Sequence, residues 1–157
     1  MEKPDSQEVL QQVPVSAIME KSYLSLPSTT HLHEAGWEMV KEKCHAALVM
    51  DEGDRIVGII TLRDLRRKLL EIEADSAGAL IVDPEINQVC TTDILYAYES
   101  QPVAEALKQM TNRGLHLLPV MAVDQPHRIV GVLERHRIPL AGDLAETEAV
   151  LRRRNVF

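Results

Sequence analysis

The sequence is poor in aromatic residues and carries more negative than positive charge. Only 3% of its 157 residues are aromatic, so a core has to be built from leucine, isoleucine, valine, alanine and methionine. The formal net charge of -7 argues against a general nucleic-acid binder, because contacts to a phosphate backbone need a basic surface. A small phosphorylated ligand held by a few local cations remains compatible with this charge.

Cysteine and long apolar runs are also scarce. Cys44 and Cys90 are too few and too irregularly placed for a disulfide framework or a CxxC metal site, so we expect two buried free thiols in a reducing cytosol. No apolar run approaches the roughly 18 residues that a membrane span needs, and the charged start is not typical of a signal peptide. These absences predict a cytoplasmic location, which includes the cytosolic face of a membrane protein.

What the sequence does contain is an internal repeat. The stretch Arg55-Ile56-Val57-Gly58-Ile59 returns as Arg128-Ile129-Val130-Gly131-Val132. Upstream of it, the run from His45 to Met50 matches the run from His116 to Met121 at an offset of 71 residues. The offset becomes 73 at the two glycines, so the second copy has two extra residues in its turn. The chain must therefore be analysed as two copies of one supersecondary unit.

Each copy predicts the order β-α-β-β-α. Alternating and continuous apolar runs predict the strands, and apolar residues at three- and four-residue steps predict the helices. The first copy predicts strand 23–26, helix 31–43 with Thr30 as its N-cap, strands 46–50 and 56–60, and helix 62–73. The second copy predicts strand 94–97, helix 103–113 ended by Gly114, strands 117–123 and 129–133, and a weak helix 135–141 that Pro139 interrupts.

The flanking segments complete the predicted organisation. A short helix within residues 2–12 and a single helical turn at 15–19 precede the first strand, and a separate helix follows at 144–154. We divide the chain into an N-terminal helix and linker 1–14, repeat 15–74, connector 75–88, repeat 89–141 and C-terminal helix 142–157.

Over residues 13–141 the sequence resembles the cystathionine β-synthase (CBS) domain pair, or Bateman module. The resemblance rests on Val15-Ser16-Ala17-Ile18-Met19, Leu118-Pro119-Val120, the Glu-Ala…Met helices and the Val-Gly-Ile/Val stretch of each hairpin. It implies an α+β fold of two β-α-β-β-α repeats packed sheet to sheet with pseudo-twofold symmetry. It further implies adenosine-containing ligands in two clefts between the repeats, and dimerisation into a four-repeat disc.

Thr61 and Asp64 are the main candidate site residues, at the point where a strand ends and a helix begins. The first amides of a helix have no partner within it and form an anion site, to which the Thr61 hydroxyl can add. An ionised Asp64 can accept hydrogen bonds from two vicinal ribose hydroxyls, and in the family resembled the matching residues have these roles. The alternative is a capping-box arrangement that satisfies the helix with no ligand.

The second copy departs from this pattern, with Glu134 in place of the threonine and Arg137 in place of the aspartate. A glutamate repels phosphate and an arginine cannot accept from ribose, so we expect a vacant or altered second site. Alternatively, Arg137 contacts a phosphate bound in the other cleft. His45 and His116 occupy a position that is often basic in the family, although a surface strand edge explains them equally well. The predicted nucleotide-binding set is therefore Thr61, Asp64, His45, Ala47, Ile59, His116 and Arg137.

These features predict a regulatory module that senses an adenine nucleotide (AMP, ADP or ATP) and has no catalytic activity. The segment from Glu8 to Met19 is similar to the point where bacterial chloride-channel-family transporters enter their cytosolic CBS tails, which implies an attached transporter or channel domain. A stand-alone sensor is the next interpretation.

We also expect a homodimer, because the helices carry apolar residues beyond what one pair can cover: Trp37, Met39, Val40, Leu107 and Met110. The rival function is a structural dimerisation module with empty clefts. An enzyme is the least favoured, since no Walker loop, HExxH motif or Ser-His-Asp order is present.

Overall fold

A computed structural model describes residues 6–75, 82–125 and 128–154. In these residues the helices are α1 (Ser6–Leu10), α2 (Leu32–Glu42), α3 (Leu62–Asp75), α4 (Val103–Arg113) and α5 (Ile138–Arg154). The strands are β1 (Ser25–Pro27), β2 (Ala46–Met50), β3 (Ile56–Thr61), β4 (Ala97–Tyr98), β5 (Leu117–Met121) and β6 (Ile129–Glu134). Short 3-10 turns lie at Val15–Ala17, Ile86–Gln88 and Arg135–Arg137.

The chain forms two compact units. Residues 22–94 make one of them, which we call the contiguous unit. Residues 1–21 and 95–157 together make the other, which we call the split unit. Along the sequence, the chain therefore passes from the split unit into the contiguous unit and then back into the split unit.

Each unit contains one three-stranded sheet. In the contiguous unit the order is β1-β2-β3, with β1 parallel to β2 and β2 antiparallel to β3. In the split unit the order is β4-β5-β6 with the same directions. Val49 faces Gly58 in the first hairpin as Val120 faces Gly131 in the second, and both registers shift at the next residue. The two sheets with their helices confirm the predicted α+β fold class and its repeat.

The two hydrophobic cores correspond residue by residue. In the contiguous unit the core is Leu26, Leu32, Ala35, Met39, Ala47, Val49, Ile60, Leu65 and Ile86. In the split unit the same positions of the repeat are Ala97, Val103, Ala106, Met110, Leu118, Val120, Leu133, Ile138 and Val15, joined by Leu10. Burying such aliphatic side chains stabilises a fold by about 1.5–3 kcal/mol each. The repeat therefore determines the core as well as the backbone.

One pair in this correspondence is exchanged between the units. Val15 belongs to the first copy by sequence but packs with second-copy residues, and Ile86 does the reverse. Backbone hydrogen bonds confirm the exchange: Glu20 pairs with Val132 (2.8 and 2.9 Å), and Thr91 pairs with Ile59 (3.0 and 2.9 Å). The turn that precedes each copy in sequence thus docks on the hairpin of the other copy.

The helix starting near residue 31 is capped differently from the prediction. Its N-cap is His31, not Thr30, and no side-chain capping bond is made from that position. Instead the Asp83 carboxylate accepts from the His33 amide at 3.2 Å, so the cap comes from the segment after α3. Helix α4 covers the predicted residues and ends at Gly114 in the left-handed conformation, with φ of 64°.

The prediction of two helices near the second hairpin is wrong. A single helix, α5, runs from Ile138 to Arg154 and follows directly from the turn Arg135–Arg137. Pro139 is the second residue of this helix, where a missing amide hydrogen removes no helical hydrogen bond. Of the predicted N-terminal helix, Ser6–Leu10 is present and residues 1–5 lie outside the described residues. In the predicted connector, residues 76–81 lie outside them as well.

The apolar residues expected at an interface separate into two groups. Met39 and Met110 are fully buried in their cores and Leu107 is half-buried, whereas Trp37 is 71% exposed and Val40 58% exposed. Cys44 and Cys90 form no disulfide and are only half-buried, which corrects the expectation of buried thiols. Within the described ranges, no helix is long and apolar enough to cross a membrane.

Candidate functional site

The junction between β3 and α3 has no intervening loop. Thr61 is the last residue of the strand and pairs with Ala46 across the hairpin, and Leu62 begins the helix. The Leu62 amide donates to the His45 carbonyl at 2.7 Å. This bond holds the start of α3 against the beginning of β2, so the exposed His45 lies beside the first turn of the helix.

Thr61 acts as a helix cap in this structure. Its Oγ1 accepts a hydrogen bond from the Asp64 amide at 3.1 Å, which is the geometry by which an N-cap residue satisfies a free amide of the first turn. The hydroxyl uses one acceptor lone pair here and retains its hydrogen as a donor. Thr61 can therefore cap the helix and donate to an anion simultaneously.

Asp64 is paired with a residue that the sequence analysis did not include. Its Oδ1 accepts from Nη2 of Arg67 at 3.0 Å, and its side chain remains 33% exposed. Because an ionised carboxylate offers about four acceptor positions on two oxygens, one bond from Arg67 leaves capacity for a ligand. The spacing of three residues along one helix is a signal by which this pair could have been found.

The two remaining first-copy candidates have limited side-chain access. Ala47 is 1% exposed and belongs to the hydrophobic core, so only its backbone could contact a ligand. Ile59 is half-buried, and both its amide and its carbonyl are bonded to Thr91.

The equivalent junction in the second copy has the same backbone but different chemistry. Glu134 ends β6 opposite Leu117, and the Arg135 amide donates to the carbonyl of the exposed His116 at 2.8 Å. The Glu134 carboxylate lies 3.1 Å from Nδ1 of His136. A carboxylate therefore stands where the first copy has a hydroxyl.

Arg137 occupies the place of Asp64 and forms an ion pair with Glu20. Both side chains are partly exposed, and Glu20 belongs to the exchanged segment that docks on β6. The guanidinium is thus engaged within the split unit, which disfavours the alternative that it serves a phosphate elsewhere. Glu20 has no local sequence signal, because it lies 117 residues from its partner.

The sequence matches known proteins over most of its length. The family model described as the CBS domain matches residues 15–71 and 86–138. Homoserine O-acetyltransferase of Methanosarcina acetivorans is 26% identical over 82% of this chain, and chloride channel protein CLC-f of Arabidopsis thaliana is 28% identical over 74%. The chain spans only 22% and 16% of the lengths of these two relatives.

Solved structures share the fold. A CBS domain pair in complex with 5′-methylthioadenosine and S-adenosyl-L-methionine superposes with a TM-score of 0.70 at 25% identity, covering 84% of this chain and 98% of the other. The protein CBSX2 in complex with AMP gives a TM-score of 0.67 at 19% identity, covering 83% and 96%. With two matched repeats, two equivalent sheets and two corresponding cores, the chain belongs to the CBS domain family.

Proposed function

We propose that this chain is a regulatory, non-catalytic module that binds an adenine nucleotide at the β3–α3 junction of its first copy. The observation that carries the proposal is the combination of the Thr61 hydroxyl and the Asp64 carboxylate in the first turn of α3, next to the exposed His45. The adenosine compounds bound to a similar CBS domain pair and to the similar protein CBSX2 support an adenosine-containing ligand.

The two side chains are suited to different parts of a nucleotide. The start of a helix of 14 residues attracts a phosphate through its dipole, and the Thr61 hydroxyl hydrogen adds a donor. Asp64 repels phosphate but accepts from ribose hydroxyls. We therefore propose that the phosphate binds at Thr61 and His45, and the ribose at Asp64.

We propose that the second copy binds no nucleotide at its equivalent junction. Glu134 presents negative charge where a phosphate would lie, and the Glu20 pair occupies Arg137. His116 then remains a surface residue of the strand edge rather than a phosphate ligand. Ligand regulation in this chain would depend on the first copy alone.

Regulation by a ligand requires two conformations of the protein that differ in their affinity for that ligand. We propose that the chain works as a cytosolic homodimer, because Trp37 and Val40 expose apolar surface on α2. The matching positions in the second copy are polar, Lys108 and Thr111.

The similarity to a chloride channel protein supports an attached channel or transporter domain as the regulated partner.

Calorimetric titration with AMP, ADP, ATP and S-adenosylmethionine tests the site. Asp64→Ala removes a charged acceptor of two hydroxyls, each worth about 1.5–3 kcal/mol, so the affinity should fall at least roughly tenfold. Arg137→Ala, the matched change in the second copy, should leave the affinity unchanged. Absence of binding heat from the unaltered protein at millimolar ligand would refute the proposal.

Stability measurements separate ligand binding from helix capping. Because Thr61 provides the cap, Thr61→Ala should lower the free energy of unfolding by about 1 kcal/mol. Asp64→Ala loses only a partly exposed ion pair and should change it by less than about 0.5 kcal/mol. A loss of affinity without a loss of stability in Asp64→Ala would then be a direct effect on the ligand.

A structural dimerisation module is the second candidate. It is favoured by the internal partners of Thr61, Asp64 and Arg137, which satisfy these side chains without a ligand. Light scattering and the calorimetric titration together distinguish the two candidates: a dimer that binds no nucleotide supports the dimerisation module. A mass near 17.6 kDa at micromolar concentration contradicts the homodimer in both proposals.

A further inference from the structure

Asp64 is held at two points in the first two turns of α3. Its amide donates to Oγ1 of Thr61 at 3.1 Å, and its carboxylate Oδ1 accepts from Nη2 of Arg67 at 3.0 Å. The first bond caps the helix. The second bond joins two side chains and satisfies no main-chain group, so the start of the helix does not account for Arg67.

The second copy shows that the repeat does not require this ion pair. The offset of 73 residues that relates the two glycines places Arg137 at the position of Asp64 and Leu140 at the position of Arg67. Helix α5 forms nevertheless, with Leu140 58% exposed. Both members of the pair are thus absent from the copy in which we expect no nucleotide, so the arginine accompanies the aspartate and not the helix.

The stability of the fold does not account for the pair either. The side chain of Arg67 is 67% exposed and that of Asp64 33%, and ion pairs of this kind on a helix surface contribute little to stability. Lys68 and Glu71 form a second pair on α3 with the same spacing of three residues, at 3.7 Å and also partly exposed. The two pairs differ in that only the first contains a residue of the proposed nucleotide site.

The bond from Arg67 leaves one carboxylate oxygen of Asp64 available. Oδ1 accepts from the guanidinium, and Oδ2 has no hydrogen bond to any residue that the structure describes. The terminal bond of an aspartate side chain rotates over a broad range when nothing holds it. A partner at Oδ1 restricts that rotation before a ligand arrives, which lowers the entropy cost of binding.

We propose that Arg67 is a positioning residue, which orients the Asp64 carboxylate for the hydroxyls of a ribose and does not itself contact the nucleotide. This inference rests on the proposed function and assigns to it a residue that controls recognition of the sugar. Without Arg67, a ribonucleotide should bind about three- to tenfold more weakly. A nucleotide that lacks both hydroxyls should be affected little, because it makes no bond to Asp64.

Calorimetric titration of the full chain tests this role with the tightest-binding of AMP, ADP and ATP and with its 2′,3′-dideoxy analogue. Arg67→Met removes the guanidinium and keeps much of the alkyl chain, and it should weaken the ribonucleotide but not the analogue. Lys68→Met is the matched control, because it removes the same charge and the other ion pair of α3, and it should leave both affinities unchanged. An equal loss for both ligands in Arg67→Met, or an equal loss in Lys68→Met, overturns the proposal.

A double-mutant cycle tests whether Arg67 acts through Asp64. In an Asp64→Ala background, Arg67→Met should cause no further loss of ribonucleotide affinity. A further loss of the full size would mean that the arginine contacts the nucleotide directly, which contradicts a positioning role. The urea midpoint of each variant should stay near that of the unaltered chain, so a change in affinity is not a folding defect.

The outcomes separate this inference from the proposed function. If Asp64→Ala weakens the ribonucleotide and Arg67→Met does not, the positioning role is wrong and the proposed site remains. If the unaltered chain binds none of the three nucleotides, the proposed function is refuted and the role of Arg67 with it.

Discussion

Lys43 and Gly114 take the same position after the first helix of each copy, and both adopt the left-handed conformation. Their φ angles are 54° and 64°. Glycine adopts this conformation without steric cost, but a side chain with a Cβ costs about 1 kcal/mol. The two copies thus end the equivalent helix in the same backbone conformation but with different residue types.

The first prediction follows from this difference. Lys43→Gly should raise the free energy of unfolding by about 1 kcal/mol, and the reciprocal Gly114→Lys should lower it by a similar amount. No neighbouring atom lies within 4 Å of an added Cβ at Gly114, so the second effect would report backbone strain and not a clash. Urea denaturation measures both. A decrease in stability for Lys43→Gly contradicts the argument.

Cys90 is the half-buried residue with the clearest consequence for pH. Burial raises the pKa of its thiol above the ordinary 9.0, and burial likewise raises the pKa of the Tyr96 hydroxyl above 10.0. In each case the folded chain prefers the protonated group, so the unfolded chain loses its proton at lower pH. This contribution to stability is complete below the unfolded pKa and is lost as pH rises through the folded pKa.

The second prediction is therefore a decline of stability as the pH rises above about 9. Urea denaturation midpoints at pH 7.5 and pH 10 should differ, and the difference should be smaller in a Cys90→Ala, Tyr96→Phe variant. If the midpoint of the unaltered chain is the same at both values, these groups do not couple folding to pH in the way described.

At the scale of elements, the docking of each exchanged segment depends on a glycine in the hairpin. A Cβ added to Gly58 would lie 2.5 Å from Sγ of Cys90 and 2.7 Å from the Thr91 carbonyl. At Gly131 it would lie 2.7 Å from the Glu20 carbonyl and 3.0 Å from Sδ of Met19. The distances of 2.5 and 2.7 Å are too short for a real contact, so these glycines are required for close approach of two backbones.

The third prediction is that Gly58→Ala lowers stability by about 1–3 kcal/mol, the range for overpacking. Removing the sulfur with Cys90→Ala should not restore it, because the Thr91 carbonyl is fixed by its bonds to Ile59. The control is Gly53→Ala in the exposed turn, where the nearest atom is 3.5 Å away. Equal stabilities for the two alanine variants would show that the hairpin accommodates the added methyl group at residue 58 without a loss of stability.

The elements that the sequence predicted well are those whose signal is local. Helix α4 and the hairpins follow from the spacing of apolar residues and from turn residues. Because the two copies correspond, the elements of one copy also predict those of the other. The two errors have different causes. The prediction treats Pro139 as a break in the helix, although a proline in the first turn of a helix is tolerated. The sequence predicts Thr30 as the cap, whereas Asp83 bonds the first turn of α2 at His33, 50 residues away in sequence.

At the scale of the molecule, the exchange of segments was not predictable from the pattern used. Ile86 follows Val15 at the same offset of 71 as the rest of the repeat, so the equivalence of the two turns was readable. The offset, however, identifies which residues correspond. It does not indicate on which of the two hairpins each turn packs. The choice is made by tertiary packing, and for the same reason the Glu20–Arg137 pair had no sequence signal.

Because of the exchange, the residues of one sequence repeat are not the same as the residues of one folding unit. The last prediction follows from this difference. A fragment of residues 22–94 contains the whole core of the contiguous unit, including Ile86, which is 0% exposed. A fragment of residues 15–75 follows the sequence repeat but lacks Ile86 and the backbone bonds of Thr91. Loss of a large buried aliphatic side chain costs about 2–5 kcal/mol, against a total stability of roughly 4–11 kcal/mol for a unit of this size.

We therefore expect fragment 22–94 to unfold cooperatively in urea and fragment 15–75 to be largely unfolded in buffer, as circular dichroism and amide exchange would show. The control is fragment 22–94 with Ile86→Ala, which should lie between the two because it keeps the Thr91 bonds and loses only side-chain packing. If fragment 15–75 is as stable as fragment 22–94, its own Val15 must replace Ile86 in the core. The exchange would then be a preference of the intact chain and not a requirement of the fold.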